Sequence, residues 1–447
     1  MREPTELKRQ IGLRTATALV VGEVIAVGIF LTPAGMAKSL GSPMWLLLVW
    51  LVMGAMAVCG ALCYGELAAR YPEAGGGYVY LREAYGPQVA FLYGWMALLV
   101  MDPGLTAALA VGMATYAGYI FKLSPPGIKA LATGAIIALA AVNVRGLKPG
   151  AWLVRWLTVL KLGSLIFLLL WGFGFQLGDW SNFTPLVARP AQSIPLVGAL
   201  AGGMVAAFFS FGGWWDVSKL AGEVRDPSRT LPRALVYGVV IVTLAYLLIS
   251  AVFIYLVPLE QVTTRETFAA QAGEALFGRT GGQIFSAIVV IAVLGSMAAL
   301  IMSAPRVYFA MARDRLFIKY AAALHPRFGT PARSIVLQAA LACVLVMLGS
   351  FDDIIAYFVF VVVLFIALTV AALFLLRRRP TVADDSEYRT PGYPLTPVIF
   401  LSLILLLLVL LGSDKPKQAF LGLVVVALGL PVYYLLFRRT DAPPKAD

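Results

Sequence analysis

The sequence has 447 residues, of which 60% are hydrophobic and 13% charged, and its mean hydropathy is +0.86. A soluble globular domain does not need so much apolar surface, so the composition excludes that class and indicates an integral membrane protein. The formal net charge of +12 belongs to loops that meet anionic lipid and does not indicate nucleic-acid binding.

Twelve apolar runs are long enough to be read as membrane helices, since about 20 helical residues cross about 30 Å of hydrocarbon. No linker rich in Ser or Gly divides the chain, so we predict one all-α transmembrane domain over residues 1–447. The first run is too long for a signal peptide, lacks a small-residue cleavage site and is predicted to be retained. In chain order the runs are 15–38, 43–69, 87–121, 127–143, 151–175, 194–218, 234–257, 281–311, 334–348, 353–376, 394–411 and 418–437.

The basic residues support this count, because cytoplasmic loops are enriched in Lys and Arg. With both termini and the loops after even-numbered helices in the cytoplasm, 26 of the 35 basic residues fall on that side. Eight fall on the other side, and Lys161 is left inside the fifth run. We therefore predict a multi-pass cell-membrane protein with both termini cytoplasmic.

Two runs carry glycines in their middle, at matching places in the two halves of the chain. The first run contains "GEVIAVGIF" from Gly22, and the sixth contains "FFSFGGWW" from Phe208. The segments "REAYG" before the third run and "GEALFG" before the eighth are weakly similar. Five helices separate them, and because five is an odd number the two halves would insert in opposite directions. Matched interruptions in an inverted repeat indicate a binding site near the middle of the membrane. Close helix packing through small residues is the alternative reading.

An interrupted helix has unpaired backbone groups, which must find partners or line a wet cavity at membrane depth. The N-terminus of the second half-helix suits a carboxylate, and the carbonyl groups that end the first half suit an ammonium. Both charges side by side describe a zwitterionic amino acid.

Several longer motifs now carry a family resemblance that covers nearly the whole chain. They are "VGIFLTP", "YGELAARYPEAGGGYVYLREAYGP", "TVLKLGSL", "FFSFGGWW", "GEVRDPSRTLPRAL" and "PRVYFAMARDRLF". The sequence resembles the amino acid–polyamine–organocation superfamily, in particular its L-type amino acid transporter branch. The resemblance implies amino acid import or exchange and a LeuT-like five-plus-five inverted repeat with discontinuous helices one and six. It divides the chain into a first repeat (15–175), an inverted second repeat (194–376) and two additional helices (394–437).

The resemblance also implies a substrate site made largely of backbone groups. The amides of Val27 and Gly28 would bind the substrate carboxylate, and the carbonyls of Val24, Phe209 and Gly212 its ammonium. The Phe209 ring would be an aromatic gate. The family's break usually reads Gly-Ser-Gly, whereas here it reads Ala-Val-Gly, with Ala26 first, so two residues resist the dihedral angles that glycine permits.

Lys161 lies ten residues into the fifth run, too deep for its side chain to reach the interface fully. Burying a cation there costs at least about 2.5 kcal/mol, so a partner or a function should offset the cost. In sodium-independent members of the family, a lysine at the matching place in "TVLKL" substitutes for a sodium ion and bridges the first and eighth helices. The resemblance therefore implies transport without sodium. A lysine that only satisfies helix-end carbonyls is the alternative.

Other ionisable residues in or near the apolar runs have open roles. Glu23 is read either as a proton carrier or as a partner of Lys161, and Asp102 as a residue beside the substrate side chain; each is equally well a structural group. Asp216 is expected near the wet end of helix six, and Glu66 with Arg70 as loop anchors.

Aromatic residues from Phe209 to Trp215 suggest an apolar, aromatic pocket wall and hence neutral substrates. Trp215 replaces a polar residue common in the family, and either narrows the pocket or faces lipid. The eukaryotic relatives pair with a glycoprotein through a cysteine in the loop after helix three. Here that loop, "KLSPPG", has none, so no disulfide-linked heavy subunit is expected.

Two other function classes are weaker readings. An integral-membrane enzyme would need a metal-binding carboxylate set or a histidine base, for which Asp352 and Asp353 are the nearest candidates. An ion channel would need repeated polar rings, which the sequence lacks. No cofactor and no metal site is predicted, and the lone His325 is read as structural. We expect a sodium-independent exchanger of neutral L-amino acids in a prokaryotic inner membrane, with proton-coupled symport as the alternative.

Overall fold

The computed structural model describes residues 7–26, 28–187, 189, 195–262, 271, 273–274, 278–348, 351–379, 388–414 and 416–437. These residues are helical apart from turns and loops, and they form no strand. The α-helices are α1 (Leu13–Val24), α2 (Gly28–Leu40), α3 (Pro43–Arg70), α4 (Gly77–Tyr85), α5 (Pro87–Met96), α6 (Asp102–Phe121), α7 (Pro125–Val144), α8 (Leu147–Gly174), α9 (Leu196–Phe211), α10 (Pro227–Leu256), α11 (Arg279–Ser303), α12 (Pro305–Arg313), α13 (Ala332–Leu348), α14 (Phe351–Leu376), α15 (Leu395–Asp414) and α16 (Pro416–Leu436). A π-helical turn spans Ala97–Met101, and 3-10 helices span Trp180–Phe183, Asp216–Glu223, Leu259–Gln261 and Lys319–Ala322.

Local sequence explains several helix starts. Proline occupies the first position of α3, α5, α7 and α10, where its missing N–H is not needed and its fixed φ suits a helix. Ser124 precedes α7, and its hydroxyl accepts a hydrogen bond from the amide of Gly127 at 3.4 Å, which caps the helix.

The first and sixth apolar runs are each interrupted. α1 ends at Val24 and α2 begins at Gly28, with Val27 outside the described residues. α9 ends at Phe211, and the 3-10 helix Asp216–Glu223 starts after a four-residue turn. Gly213 in that turn has φ +101°, a conformation that side-chain-bearing residues avoid. The second glycine of "FGGWW" therefore lets the helix end there.

Nine helical segments of the described chain are long and apolar enough to cross a membrane. The helices Ala332–Leu348 and Phe360–Leu376 are apolar but shorter, and the interruption leaves the first run as helices of 12 and 13 residues. The prediction of an all-helical membrane protein is confirmed at this level. The count of twelve spans and the inverted repeat stay predictions.

The interrupted helices lie inside the bundle. α1 packs against α8, α10 and α11, α2 packs against α9, and the 3-10 helix Asp216–Glu223 contacts α1, α3 and α10 to α12. α8 shows the opposite pattern on its outer face, where Trp152, Trp156 and Leu160 are more than half exposed. Such an apolar exposed face suits lipid. The two interruptions, in contrast, contact helices on several sides and are surrounded by protein.

Candidate functional site

The two interruptions meet around a common cavity. A Cβ atom placed on Gly28 would lie 2.7 Å from the Cα of Ser210, so the start of α2 touches α9 with no room for a side chain. The hydroxyl groups of Thr32 and Ser210 lie 2.8 Å apart across the same contact. On the other side, a Cβ on Gly213 would lie 3.0 Å from the Cγ of Glu23. Glycines at both interruptions therefore permit this close approach.

The cavity has about 60 Å³ of space for the centres of water-sized molecules, and it is lined by α1, α2, α6, α9, α11 and α14 and by the turn that follows α9. Most residues that the sequence analysis assigned to the substrate site line it: Val24, Ala26, Gly28, Phe209 and Gly212, together with Glu23 and Asp102. Val27 lies outside the described residues. The rest of the lining is largely apolar and includes Met101, Leu105, Leu109, Phe208, Leu300 and Val362.

The backbone carbonyls of the site already accept hydrogen bonds. The Val24 oxygen accepts from the Tyr246 hydroxyl at 2.9 Å and from the Ala26 amide at 2.7 Å. The Phe209 oxygen accepts from the Gly212 amide at 3.1 Å. A carbonyl has two lone pairs, so a ligand ammonium at Val24 has to displace one of its two donors. The Tyr246 hydroxyl also lies 2.7 Å from the Ser210 oxygen and joins the ends of α1 and α9.

Lys161 is fully buried and reaches from α8 to the end of α1. Its ammonium donates to the carbonyls of Gly22, at 2.9 Å, and Ile25, and to the Ser296 hydroxyl at 3.0 Å. Ser296, on α11, lies 2.7 Å from the Gly22 oxygen. The three N–H donors of the ammonium therefore have three acceptors. Gly295 makes room for this arrangement, since a Cβ there would lie 3.1 Å from Leu157 and 3.7 Å from the Lys161 nitrogen.

A second buried lysine, Lys219, lies behind the cavity wall and pairs with two residues that line the cavity. Its ammonium lies 3.1 Å from Oδ1 of Asp102 and 2.9 Å from Oδ1 of Asp216, and all three residues are at most 3% exposed. The expectation that Asp216 is wet is therefore wrong. Because the chain turns at Gly213 instead of continuing as a helix, the next residues fold back into the protein.

Asp102 is held from two sides. Besides Lys219, the Tyr308 hydroxyl donates to its Oδ2 at 2.8 Å, and that hydroxyl also lies 3.2 Å from the Ala97 oxygen. Ala97 begins the π-helical turn that leads into α6. A π-helical turn leaves carbonyl groups outside the regular helical pattern, and here one of them helps to orient the group that holds Asp102.

Glu23 contacts Asp216 rather than pairing directly with Lys161. Its carboxyl lies within hydrogen-bonding reach of the Asp216 carboxyl, and the Ser303 hydroxyl donates to Oε1 at 3.3 Å. The Lys161 ammonium points to the backbone of the same turn of α1. The alternative in which Glu23 is the direct partner of Lys161 is not the arrangement seen.

The aromatic wall is smaller than the sequence suggests. Phe209 and Trp215 line the cavity, and Trp215 is only 7% exposed, so it does not face lipid. Trp214 packs against Tyr64 with ring centroids 5.1 Å apart. Phe211 packs against Trp50 and Tyr246. Phe209 and Trp215 therefore line the cavity, whereas Phe211 and Trp214 pack into the core.

Glu66 anchors a loop as predicted for the end of its helix, because Arg377 lies 2.6 Å from its Oε2 and the Thr390 amide donates to it at 2.7 Å. The hydrogen bond to Glu66 raises the pKa of the Arg377 guanidinium.

The side chains of Asp352 and Asp353 lie outside the described residues. Among the residues that are described, no group of three or more His, Cys, Asp or Glu side chains could hold a metal ion.

The chain is similar to known proteins over most of its length. Residues 11–429 match the profile of the amino acid permease family. The serine/threonine exchanger SteT of Bacillus subtilis is 29% identical, with 98% of this chain and 99% of SteT covered. The human large neutral amino acids transporter small subunit 2 is 28% identical over 96% of this chain and 80% of the relative. The mouse Asc-type amino acid transporter 1 is 28% identical over 97% and 82%.

Proposed function

The chain belongs to the amino acid permease family of the amino acid–polyamine–organocation superfamily, and on that premise we propose that it exchanges neutral L-amino acids across a membrane by alternating access and without sodium. The match confirms the family resemblance of the loop motifs. The matched relatives are transporters, so the protein is a transporter and not an enzyme.

The observation that carries the proposal is the meeting of two interrupted helices around one cavity. α2 begins at Gly28 beside the cavity and offers the positive end of its dipole to a carboxylate. The ends of α1 and α9 offer carbonyl groups for an ammonium. The largely apolar remainder of the lining favours substrates with uncharged side chains, because an unpaired charge there would be poorly solvated.

Sodium independence is supported by the position of Lys161. A fixed ammonium already occupies the space among the Gly22 and Ile25 carbonyls and the Ser296 hydroxyl. A sodium ion at this place would have to displace the ammonium from these acceptors. The ammonium would stay nearby, so two positive charges would lie together at membrane depth.

The experiment is uptake into proteoliposomes that contain the purified protein. A labelled neutral amino acid should accumulate faster when unlabelled substrate is preloaded, and replacing sodium by choline should not change the rate. A competition screen with the twenty amino acids then defines the substrate. Saturable uptake that requires sodium, or that ignores preloading, would contradict the sodium-independent exchanger.

Proton-coupled symport is the second candidate, because Glu23 and Asp216 place two carboxyl groups together at the cavity. One measurement distinguishes exchange from proton-coupled symport. An inwardly directed proton gradient across empty proteoliposomes should drive concentrative uptake by a symporter and leave an exchanger without net uptake.

The proposal includes the finer architecture: twelve spans, both termini in the cytoplasm and a five-plus-five inverted repeat followed by two helices. The location proposed is a prokaryotic inner membrane, and the Bacillus relative supports the prokaryotic part of this proposal. We also propose that the transporter works without a disulfide-linked heavy subunit, since the three cysteines lie in α3 and α13 and not in the loop after α6.

A further inference from the structure

Two carboxyl groups connect the interrupted helices at the cavity wall. Glu23 is the penultimate residue of α1, and Asp216 opens the 3-10 helix after the second interruption. They are 6% and 3% exposed and line the same cavity. The Cγ of Glu23 lies 3.0 Å from the Cβ position of Gly213, three residues before Asp216, and the two carboxyl groups lie within hydrogen-bonding reach of each other. An ionised carboxylate only accepts hydrogen bonds, so a hydrogen bond between the two groups needs a proton on one of them.

The charges around the pair also require one proton. Three carboxyl groups, those of Glu23, Asp102 and Asp216, face two ammonium groups, those of Lys161 and Lys219. Fully ionised, this set carries one excess negative charge inside the bundle. A single proton on the carboxyl groups makes the set neutral, which burial away from water favours.

The remaining neighbours do not change this count. α11 contributes the Ser303 hydroxyl to Glu23, and Arg306 of α12 forms its own buried ion pair with Glu223. The other titratable groups near the cluster are buried phenols, which are uncharged at neutral pH: Tyr64, Tyr93, Tyr246 and Tyr308.

The contacts also indicate which carboxyl groups share the proton. Asp102 receives hydrogen bonds from the Lys219 ammonium and the Tyr308 hydroxyl, and both favour its ionised form. Glu23 receives only the 3.3 Å contact from Ser303 and has the Asp216 carboxyl beside it. Lys219 also lies 2.9 Å from Asp216, so Glu23 is the carboxyl group of the three without an ammonium contact, and the proton belongs to its contact with Asp216 and not to Asp102.

We propose that Glu23 and Asp216 share a single proton and form a proton-binding site of the cavity, whose occupancy holds the two interrupted helices together. Loss of the proton leaves two carboxylates in contact, and their repulsion acts between α1 and the segment that follows α9. The separation weakens the site that both interruptions build. The effect on substrate binding rests on the transport function proposed above, whereas the shared proton does not.

Infrared spectroscopy of the purified protein tests the proton directly. A protonated carboxylic acid shows a C=O stretching band that shifts in D₂O and that ionised carboxylates lack. The wild type should show this band at neutral pH, and both Glu23→Gln and Asp216→Asn should lose it. The matched control is Glu66→Gln, a buried carboxylate that is paired with Arg377 outside the cluster, and this variant should keep the band. A wild type without the band, a band that survives both pair variants, or a band lost only in Glu66→Gln would overturn the proposal.

Substrate affinity as a function of pH tests the consequence. The wild-type dissociation constant for a transported amino acid should rise above the pH at which the band disappears, by up to tenfold per pH unit for one proton. In Glu23→Gln the amide donates permanently to Asp216, so the profile should be flat. A Glu23→Gln profile like that of the wild type, or a constant wild-type affinity while the band disappears, would overturn the link.

Size-exclusion and melting profiles identify a variant that fails to fold. In that case the other pair variant and the wild-type spectrum decide whether the two carboxyl groups share a proton. Because the band is measured without transport, a missing band with intact uptake refutes the shared proton alone. A present band without any uptake refutes the transport proposal instead.

Discussion

The ammonium of Lys161 makes a set of contacts that another side chain would not reproduce. It satisfies carbonyls at the end of α1 and a hydroxyl on α11 from a position on α8, and so fixes three helices at one point. Gly22 and Ile25 lie on either side of Glu23, where α1 stops. The charge of the lysine therefore stabilises the interrupted end of the helix.

Removing this charge should impair transport. In Lys161→Ala the carbonyls of Gly22 and Ile25 lose a charged donor at membrane depth, at a cost of about 1–3 kcal/mol for unsatisfied groups, and we expect proteoliposome uptake to fall at least about tenfold or to lose its coupling. Lys148→Ala, an exposed position on the same helix, is the matched control and should keep normal uptake. Unaltered uptake in Lys161→Ala would count against the role given to the ammonium.

The Phe209 ring lines the cavity at the end of α9, and its loss should weaken substrate binding. Truncation to alanine removes apolar contact area worth about 1–2 kcal/mol, so we expect the half-saturation concentration in Phe209→Ala to rise roughly tenfold. Phe167→Ala, on the outer side of α8 with 46% exposure, is the control. Identical saturation curves for Phe209→Ala and the wild type would contradict the proposed role of Phe209 as a gate.

At this scale, the sequence reveals charges more readily than their partners. Glu23, Asp102 and Lys161 stand out because ionisable residues are rare in apolar runs. Ser296 and Tyr246 do not stand out, since serine and tyrosine are ordinary in such helices. Lys219 lies just beyond the predicted end of the sixth run and counts there as a cytoplasmic cation. Its only signal is the acid three residues earlier, Asp216, and the fold brings Asp102 to both.

Among the elements, the contact between α2 and α9 depends on a glycine. The position of a Cβ at Gly28 lies 2.7 Å from the Ser210 Cα and 2.9 Å from its Cβ and Oγ. The nearest obstacle is backbone, which cannot turn away as a flexible side chain can. A side chain at position 28 must therefore push the two interrupted helices apart.

We expect Gly28→Ala to fold with lower thermal stability and to bind substrate at least about tenfold more weakly, because overpacking of this kind typically costs 1–3 kcal/mol. Gly35→Ala is a matched control in the same helix, since a Cβ there meets nothing within 4 Å. Alanine favours a helix over glycine by about 1 kcal/mol, so the control should be at least as stable as the wild type. Equal affinities in the two variants would argue against close contact between the interruptions during binding.

Element interruptions are predictable where the chain itself supplies the cause. The paired glycines of "FGGWW" and the glycines around Glu23 predict breaks in the correct two runs. The 3-10 form of Asp216–Glu223 and the π-helical turn Ala97–Met101 are not predictable in this way. Both depend on contacts from distant segments, such as the Tyr308 hydroxyl near the Ala97 oxygen.

On the scale of the whole molecule, three distant parts of the chain meet at Glu223. Its backbone oxygen accepts from the amides of Gln10 and Ile11 at 2.7 and 2.9 Å. Its carboxylate binds the Arg306 guanidinium at 2.7 and 3.2 Å, and both side chains are at most 3% exposed. The amino-terminal segment, the end of the interrupted helix and the start of α12 are therefore fastened together.

Breaking this junction should destabilise the protein. Glu223→Gln leaves a buried guanidinium without a charged partner, which typically costs 3–5 kcal/mol, so we expect a clear fall in melting temperature together with slower uptake. The control is Glu73→Gln. The Glu73 side chain is 59% exposed and lies 3.1 Å from Arg82, and an ion pair at such a site is worth at most about 1 kcal/mol. A melting temperature that falls equally in both variants would show that burial of the pair is unimportant.

The orientation in the membrane is the last feature that the whole chain decides. The proposed topology places both termini in the cytoplasm because that assignment collects 26 of 35 basic residues, an asymmetry that insertion enforces. Bacterial alkaline phosphatase fused after Lys122 should then be active, and the same enzyme fused after Arg145, on the other side of α7, inactive. A green fluorescent protein at the carboxyl terminus should fluoresce. Since α7 crosses the membrane only once, equal phosphatase activity at the two fusion sites would contradict the topology and, with it, the inverted relation between the two interrupted helices.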